Sequence, residues 1–459
     1  MPSRHDTASS QIEEAYVWVV AAVLAVAYAA YGVLRHWRFG SSGFDLGIFD
    51  QAVWHLSRFE APASTISGFS NILGDHFYPI IALFAPLYWI APAPETLIVA
   101  QAVLLAASNV PVYLFLRARL SSRLSLWLAS AYGMSWGIQQ TAAFDVHEMA
   151  FAPLAVALLL LAIDQRRWRL LWAVAASMLL IKEDLVALLA SAGLYLAWQG
   201  ERRRGFALTG ASMAAFVIIT NVAIPAFSDT GAYAYTNTFA AILERPWTAP
   251  LVLVTPITKL RTLAFWFAPF LFLSLASPVA LLAAPLMLSR LLSASPLHWG
   301  NVFHYSAPIA PIIALSAGDG LARLLRRGSI RPRAAGWLAV ACVVASAVIP
   351  GRPPLGRLFT AEHYQPIASA SAAAAALAMV PDAASVIAQG AIVPHLSQRH
   401  DIRVLREGAG DADVVMAASP LNPWPYADTA ALGLAVDAYR ARGYRVEFER
   451  DGWIVLFSR

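Results

Sequence analysis

The sequence predicts a mostly α-helical, multi-pass membrane protein with a small α/β domain at its C-terminal end. Of its 459 residues, 59% are hydrophobic and 13% are charged. Soluble domains carry about 25% charged residues, so this composition indicates a membrane protein. Long apolar runs alternate with short arginine clusters up to about residue 350. Residues 351–459 gain acids, turns and short β-rich runs.

Charge and cysteine content exclude several other classes. The formal net charge of +5 does not indicate a nucleic-acid partner, because the arginines lie between apolar runs, where they encode membrane topology. The single cysteine, Cys342, excludes an intramolecular disulfide and a cysteine-rich metal site. The first apolar run, 15–34, is followed by Arg35 and His36 and not by a small-residue cleavage site. We therefore expect a retained first helix.

About eleven membrane-spanning helices are predicted, because a bilayer core takes about 20 apolar residues per helix and fewer where helices pack inside protein. Arginine clusters at 117–123, 166–169, 202–204 and 323–333 should be cytoplasmic. With a cytoplasmic N-terminus, eleven helices place all four clusters there. The predicted spans are 15–34, 96–116, 124–143, 149–163, 168–181, 185–199, 205–225, 262–276, 279–292, 302–318 and 334–350.

Two apolar runs need separate treatment for this count. The run 77–94 contains prolines, Tyr and Trp, and we interpret it as interfacial or re-entrant. The run 262–289 is interpreted as two short helices that turn near Ser277 and Pro278. This arrangement predicts a transmembrane domain over 1–350, with a first external loop at 35–95. It places a second domain, 351–459, outside the plasma membrane.

The C-terminal segment has the alternation of a small α/β domain. Strands are predicted within 382–390, 401–405 and 411–419, and a helix within 431–443. The stretch 444–458 reads as a hairpin that turns at Asp451-Gly452. With roughly 100 residues it can form its own core. Its role stays open between a cap over the membrane cleft and substrate recognition.

Acidic and histidine residues recur at helix ends that this topology places on the external side. The segments are FDLGIFD (44–50), GDH (74–76), FDVHE (144–148) and KED (182–184). Ionisable groups at membrane depth are costly and mark functional sites. Their shared side predicts one external polar cleft.

The two acids of the first segment are five residues apart, so they do not share one helix face. We expect only one of them to face the cleft. Asp45 is either a helix N-cap or a general base. If Asp50 does not face the cleft, it is a solvated acid.

Other candidate residues carry open alternatives. Mg²⁺, Mn²⁺ or Zn²⁺ could be held by the loop residues Asp75, His76, Asp145, His147 and Glu148. These side chains could instead bind sugar hydroxyls or cap loops, and their spacing matches no dedicated metal signature. Lys182 would meet a lipid phosphate or pair internally with Glu183 or Asp184. Tyr305 is either a substrate contact or an interfacial belt residue. The predicted substrate-binding set is His76, Asp145, His147, Glu148, Lys182, Glu183, Asp184, Arg290, His298, His304 and Tyr305.

The ordered motifs carry a family resemblance. FDLGIFDQAVW, GDHF, FDVHEMAFAP, KEDL and HYSAPIAP, followed by VPHL and NPWP in the tail, resemble the bacterial and archaeal membrane family catalogued as domain of unknown function 2079. The resemblance covers nearly the whole chain, and the ordered set is specific although each motif alone is not. That family resembles the C-type (GT-C) membrane glycosyltransferases, which use polyprenyl-phosphate-linked sugars and keep an acid in the first external loop.

The resemblance implies an inverting transfer of a hexose or pentose at the outer face of the membrane. The donor would be a polyprenyl-phosphate sugar, and the acceptor a glycan, lipid or protein. Asp45 is the first candidate base, with Asp50 and Asp75 behind it. Lys182, with Arg290 or a histidine, would neutralise the departing phosphate. No cofactor is implied beyond a divalent cation, Mg²⁺ or Mn²⁺.

Two other functions remain open from the sequence. A membrane transporter or lipid flippase would show internal symmetry and polar residues near helix centres. The sequence shows no such repeat, and its acids lie at helix ends on one side. A non-catalytic scaffold that presents the external domain is the third possibility.

Overall fold

The computed structural model describes residues 4–349, 351 and 353–459. Apolar sequence before residue 350 folds into a bundle of helices around one large apolar core, in which Tyr28, Tyr113, Tyr132 and Trp136 are fully buried. The α-helices of this part are α1 Arg4–Trp37, α2 Ile48–Ser57, α3 Ala85–Tyr88, α4 Pro94–Ala107, α5 Asn109–Arg117, α6 Ser122–Gly133, α7 Trp136–Ala143, α8 Ala152–Asp164, α9 Trp168–Leu179, α10 Val186–Trp198, α11 Arg202–Ile218, α12 Ile224–Phe227, α13 Ala240–Glu244, α14 Ala249–Val254, α15 Thr258–Phe267, α16 Ala284–Leu292, α17 Pro296–Trp299, α18 Ile309–Arg326 and α19 Pro332–Val348.

The predicted helical membrane bundle is confirmed. Among the described residues, four helical segments are long and apolar enough to cross a bilayer: Ala15–Trp37, Pro94–Arg117, Arg202–Phe227 and His304–Arg326. A fifth is added if Pro246–Val254 and Thr258–Phe270, bent by 71°, form one span. The other predicted spans coincide with shorter or broken helices, such as α6 and α7 in place of 124–143. The total of about eleven crossings stays a prediction.

The two specially treated runs are interrupted where the sequence indicates. Residues 79–88 form a 3₁₀ turn, Pro79–Phe84, and the four-residue α3. At about 1.5–2.0 Å per residue this segment is too short to cross a core of about 30 Å. Ser277 is extended between 3₁₀ turns at Leu273–Ala276 and Pro278–Ala283. Leu271 and Phe272 already break the helix, because both have positive φ.

All four arginine clusters meet at one end of the bundle. Arg119 of the first cluster and Arg323 of the last both donate to Asp319, at 3.2 and 2.6 Å. Arg119 also donates to Asp164, which closes the helix before the second cluster. Arg166 and Arg204 both pair with Glu201, which joins the second and third clusters. This shared end supports the assignment of the clusters to one side of the membrane.

The assignment of sides is testable by thiol labelling. In a Cys342→Ala background, Ala61→Cys and Glu407→Cys should react with a membrane-impermeant thiol reagent in intact cells. Arg203→Cys should react only after lysis, because its cluster is expected in the cytoplasm. All three positions are exposed in the structure, so accessibility to the reagent depends on the side of the membrane alone. Labelling of the residue-203 variant in intact cells would overturn the topology.

The C-terminal segment forms the predicted small α/β unit. Its sheet consists of β1 Val386–Ala388, β2 Ile402–Val404, β3 Val414–Ala418, β4 Arg445–Arg450 and β5 Trp453–Phe457, in the order β2-β1-β3-β5-β4. β1 is parallel to β2 and β3, whereas β5 is antiparallel to β3 and β4. Asp451 and Gly452 both have positive φ, as a two-residue hairpin turn requires.

The two faces of the sheet have different partners. One face packs on α21, Thr429–Ala441, through Leu432 and Val436. The other face packs on α20, Ala370–Ala378, and on Phe39 and Ile66 of the first external loop. The loop is therefore held between the helical bundle and the C-terminal unit. The domain boundary between residues 350 and 351 stays a prediction.

Candidate active site

Asp45 lies in the turn between α1 and α2 with an unusual backbone. Its φ and ψ are 82° and −90°, a region that L-residues adopt only under strain. Ser42 and Gly47 occupy the N-cap positions of the adjoining helical turns, so the N-cap interpretation of Asp45 is wrong. The Asp45 side chain is 28% exposed, and its Oδ1 lies 3.9 Å from Nε2 of His147. Strain of this kind is concentrated at functional sites.

Asp145 fixes the start of this turn. Its carboxylate accepts from Nη1 of Arg35 at 2.6 Å and from the backbone N–H of Ser42 at 2.7 Å. Gly43 donates to the carbonyl of Gly390, and a Cβ at Gly43 would lie 2.9 Å from the Val393 side chain. Only glycine allows this approach between the loop and the C-terminal unit. Asp145 therefore positions Asp45 through the backbone.

A buried ion cluster lies beside Asp45. Nδ1 of His147 is 2.5 Å from Oε2 of Glu148, and Nζ of Lys182 is 3.0 Å from Oε1. Glu148 is fully buried and Lys182 is 8% exposed. Lys182 has an extended backbone between α9 and the 3₁₀ turn Glu183–Leu185. The predicted internal pairing of Lys182 with Glu183 or Asp184 is wrong, because Glu148 of another loop is its partner.

This cluster contains a buried imidazole without a polar partner. Within the described residues, neither ring nitrogen of His304 has a hydrogen-bond partner. Nδ1 of His147 and the carboxylate oxygens of Glu148 are instead occupied by the ion pairs above. The imidazoles of His147 and His304 stack with ring centroids 3.7 Å apart. Buried polar groups without a protein partner require water, an ion or a ligand. The cluster therefore has the capacity to bind a polar substrate.

The charges of the cluster shift its pKa values in opposite directions. Burial, with repulsion from Asp145 and Glu148, raises the pKa of Asp45 to about 8. Burial also opposes ionisation of Glu148, but His147 and Lys182 together hold its pKa well below the ordinary value. Although burial opposes its charge, Lys182 has a raised pKa because Glu148 is adjacent. Asp45 is thus an acid with the pKa of a base active near neutral pH.

A second group of polar residues adjoins Lys182. Glu183 contacts Nδ1 of His76 at 2.5 Å and accepts from the hydroxyl of Tyr233 at 3.2 Å. Burial opposes the charge of Glu183, yet His76 and Lys182 lower its pKa to about 2. Asp75 accepts from the hydroxyl of Tyr235 at 2.8 Å, and that ring stacks on His76. This group continues the polar surface away from Asp45.

Asp184 extends this polar surface, and Gly74 allows the turn that carries Asp75 and His76 to pack closely on the neighbouring chain. Asp184 is exposed to solvent next to Glu183 in the sequence. A Cβ at Gly74 would lie 2.5 Å from the Phe227 carbonyl oxygen. This close approach holds the 74–76 turn against the end of α12, so Asp75 and His76 reach the Tyr233 loop.

Arg290 lies buried on the opposite wall of the site. It donates to the carbonyls of His298 and Gly300 at 2.7 and 3.3 Å and to Oγ of Ser306 at 2.7 Å. No acidic side chain pairs with it within the described part of the chain. Nδ1 of His298 contacts Oγ of Ser293 at 2.7 Å. Buried charges are normally paired, so an unpaired guanidinium favours an anionic ligand.

Tyr305 lies between the two walls. Its ring packs on His304 and His298, with centroids 4.5 and 5.1 Å away. It is also close enough to Asp45, Lys182, Glu148 and Arg290 for their charges to act on its hydroxyl. A side chain in this position is better suited to contact a substrate than to anchor the protein at the membrane surface.

Asp50 lies in a different environment from Asp45, as the five-residue spacing predicts. It is fully buried and accepts from Ser397 at 2.6 Å, from Gln398 at 3.2 Å and from the Tyr88 hydroxyl. The interpretation of Asp50 as a solvated acid is therefore wrong. Burial raises its pKa to about 6 even though three donors stabilise the carboxylate. Its contacts join the first loop to the C-terminal unit.

The residues proposed as metal ligands in these loops are used elsewhere. Asp145 binds Arg35, Asp75 binds Tyr235 and Glu148 pairs with Lys182. In residues 4–349, 351 and 353–459, this site contains no group of three potential ligand atoms close enough to share an ion. The predicted Mg²⁺ or Mn²⁺ ion stays a prediction, and no chemical step below depends on it.

Several residues of the site were not singled out from the sequence. The sequence marks Arg35 only as a flank of the first helix, and Tyr233 and Tyr235 lie in a predicted external loop whose acids, Asp229 and Glu244, form no recognised motif. Their alternation in AYAYT would put both rings on one side of an extended chain, and this pattern is the one signal that could have identified them. The contact between Lys182 and Glu148 joins two separate loops, and no repeating pattern in the sequence relates these loops to each other.

Comparisons with known proteins agree with this fold. A family model described as "Predicted membrane protein (DUF2079)" matches residues 35–455. Two crystal structures of ArnT from Cupriavidus metallidurans, one bound to undecaprenyl phosphate and one in the apo state, share the fold with a TM-score of 0.56 and 13% identity. Each covers 96% of this chain, which in turn covers 97% and 98% of them. A search of curated proteins finds no significant match.

Proposed function

The chain belongs to the DUF2079 family of membrane proteins, and we propose that it is a glycosyltransferase that uses a polyprenyl-phosphate-linked sugar. One observation carries the proposal: Asp45, strained and partly exposed, lies 3.9 Å from His147, which stacks on His304, a buried imidazole without a hydrogen-bond partner in the described residues. The resemblance of this family to the C-type glycosyltransferases supports it. So does the fold shared with ArnT, which has been crystallised with undecaprenyl phosphate.

The proposed reaction is a single displacement at the sugar. An acceptor hydroxyl attacks the anomeric carbon while the bond from that carbon to the phosphate oxygen breaks. Asp45 takes the hydroxyl proton, and the polyprenyl phosphate leaves with the bonding electron pair. Attack from the face opposite the leaving group inverts the anomeric carbon. General-base assistance of this kind contributes about 10²–10⁴-fold to a rate.

The departing phosphate requires positive charge on the other side of the sugar. Arg290 has unshared guanidinium donors and no acidic partner within the described residues, and Lys182 is shared with Glu148. We assign Arg290 as the principal phosphate contact and Lys182 as the second. Fixed positive groups placed where charge develops stabilise such a transition state strongly.

The lipid chain of the donor needs an apolar surface close to these groups. A groove of about 590 Å³ runs between the 79–88 segment and α4, lined by Leu83, Leu87, Val99 and Val103. Phe151, one helical turn after Glu148, forms its inner wall and packs on Phe84. The groove therefore begins near Glu148 and opens at a surface where Leu83, Val99 and Val103 are exposed, which we expect to face the bilayer.

The function is tested with protein purified in detergent, a labelled polyprenyl-phosphate sugar and extracts that contain candidate acceptors. Transfer of label to an acceptor, with release of polyprenyl phosphate, supports the proposal. Absence of transfer with every lipid-linked sugar, together with solute movement across vesicles that contain the protein, would replace it with the transporter function.

The raised pKa of Asp45 predicts a pH dependence of transfer. A base acts only when ionised, so kcat/KM should rise with pH through about 8 and be lost as the pH falls below that value. The measurement is kcat/KM for the donor against pH, with enzyme stability checked at each pH. An activity that stays constant from acidic to alkaline pH would remove Asp45 from the role of base.

A further inference from the structure

A second cluster lies where the first external loop meets the C-terminal unit, built from residues that the candidate active site does not use. His55, Glu60 and His400 each place one potential ligand atom within 4.8 Å of the other two. In the part of the chain that the structure describes, no other three histidine, cysteine or acidic side chains come this close. His55 is buried, Glu60 is partly buried and His400 is exposed. The cluster is thus reachable from solvent.

The first external loop holds two members of the cluster in a fixed relation. α2 ends just after His55, and Phe59 adopts a positive φ of 61° that turns the chain back. The backbone N–H of Glu60 then donates to the carbonyl of His55 at 3.0 Å. This turn places Oε2 of Glu60 2.6 Å from Nδ1 of His55. The other carboxylate oxygen lies 3.7 Å from Nε of Arg58.

The third member is positioned by hydrogen bonds on both sides of it in the sequence. Before His400, Ser397 donates to Asp50, and the carbonyl of Arg399 accepts from Gln51 at 2.9 Å. After it, Ile402 exchanges two hydrogen bonds with Thr65, at 2.7 and 3.0 Å. Every one of these partners belongs to the first external loop. His400 is therefore brought to His55 by a rigid frame.

Two imidazoles and one carboxylate form a ligand set for a borderline divalent metal ion. Zn²⁺ binds such groups at about 2.0–2.2 Å, commonly through three protein ligands and one water. A tetrahedral site needs ligand atoms about 3.3 Å apart. In the structure the three ligand atoms lie within 4.8 Å of one another, and Nδ1 of His55 and Oε2 of Glu60 are only 2.6 Å apart. Glu60 and His400 have exposed surface, so rotation of these two side chains can bring the ligand atoms to the required spacing. The frame around them needs no rearrangement.

We propose that His55, Glu60 and His400 bind one Zn²⁺ ion that links the first external loop to the C-terminal unit. The two segments are far apart in the chain, so an ion shared between them stabilises their docking only in the folded state. The link would hold the loop that carries Asp45 without contact with the reacting groups. The proposal is independent of the proposed function.

The test uses the full-length protein in detergent without a polyhistidine tag. After treatment with EDTA, Zn²⁺ is added and free ion is removed. The parent should retain one zinc per chain by elemental analysis and unfold at a higher temperature than the EDTA-treated protein. His400→Asn and Glu60→Gln should weaken zinc binding at least about tenfold and abolish the thermal shift. Glu407→Gln, an exposed acid of the same C-terminal unit, serves as the matched control and should behave as the parent.

Several results would overturn the proposal. A parent without stoichiometric zinc excludes the site, because the test measures zinc directly and does not depend on enzyme activity. Zinc retained by His400→Asn but lost from His147→Asn would place the ion at the candidate active site. A His400→Asn protein that elutes as the parent does on size exclusion, yet keeps zinc and its thermal shift, would exclude His400 as a ligand.

Discussion

Asp45→Asn should lower the rate of sugar transfer by about 10²-fold or more, the largest catalytic effect expected of any single change in this chain. Asparagine has nearly the same shape as aspartate but cannot accept the proton of the acceptor hydroxyl. Donor binding should persist, since Arg290 and Lys182 are unchanged. Initial transfer rates and donor affinity, measured on the same preparation, separate the two effects.

Asp50→Asn is the matched control for that change. Asp50 accepts hydrogen bonds from three side chains in a fully buried position, and an amide nitrogen cannot replace an accepting oxygen there. A buried donor or acceptor left without a partner costs about 1–3 kcal/mol. We therefore expect a lower unfolding temperature for Asp50→Asn. A purified Asp45→Asn protein that transfers sugar as fast as the parent would remove Asp45 from the role of base.

Features with a local cause could be predicted from the sequence. The strands around 386–388, 402–404 and 414–418 follow from short β-rich runs, and the hairpin follows from Asp451-Gly452. The break near Ser277 follows from charge placement in the membrane. The sheet order β2-β1-β3-β5-β4 could not be predicted, because it depends on contacts between distant segments.

The same distinction between local features and contacts of distant segments applies to the candidate active site. The sequence identified the acid-rich loops and placed them on one side, and the structure brings Asp45, His147, Glu148 and Lys182 together. It could not assign partners, since Asp145 and Arg35 have no periodic relation and Lys182 pairs across two loops. The positive φ of Asp45 could not be predicted from FDLGIFD either, because aspartate also occurs at helix starts and in ordinary loops, and the sequence does not distinguish these conformations.

Lys182 and Arg290, the two positive groups of the site, differ in whether an acidic side chain already neutralises them. An isolated Lys182 would be free for a phosphate, whereas the observed Lys182 balances the fully buried Glu148. Binding of a lipid phosphate must then compete with Glu148 or share the ammonium with it. Arg290 has no such competitor within the described residues, which is why we assign it the larger share of phosphate binding.

Lys182→Met should destabilise the protein by up to about 3–5 kcal/mol, because it leaves the buried carboxylate of Glu148 without its lysine partner. His147 is the remaining cationic partner, 2.5 Å from Glu148. Burial lowers the pKa of His147 below its ordinary value, so this imidazole is largely neutral at neutral and alkaline pH. The loss should therefore be large at neutral pH and smaller only at acidic pH, where His147 or Glu148 takes up a proton. Thermal unfolding in detergent at both pH values measures this difference.

The double variant Lys182→Met/Glu148→Gln separates stability from donor binding. It removes both charges of the pair, so its unfolding temperature should recover most of the loss. If Lys182 also contacts the donor phosphate, the folded double variant should still bind a polyprenyl-phosphate sugar at least about tenfold more weakly than the parent. This is because a hydrogen bond to a charged group contributes about 1.5–3 kcal/mol. Glu148→Gln alone is the control, because it frees Lys182 and should tighten donor binding. Parental donor affinity in the stable double variant would confine Lys182 to the ion pair and leave Arg290 as the phosphate contact.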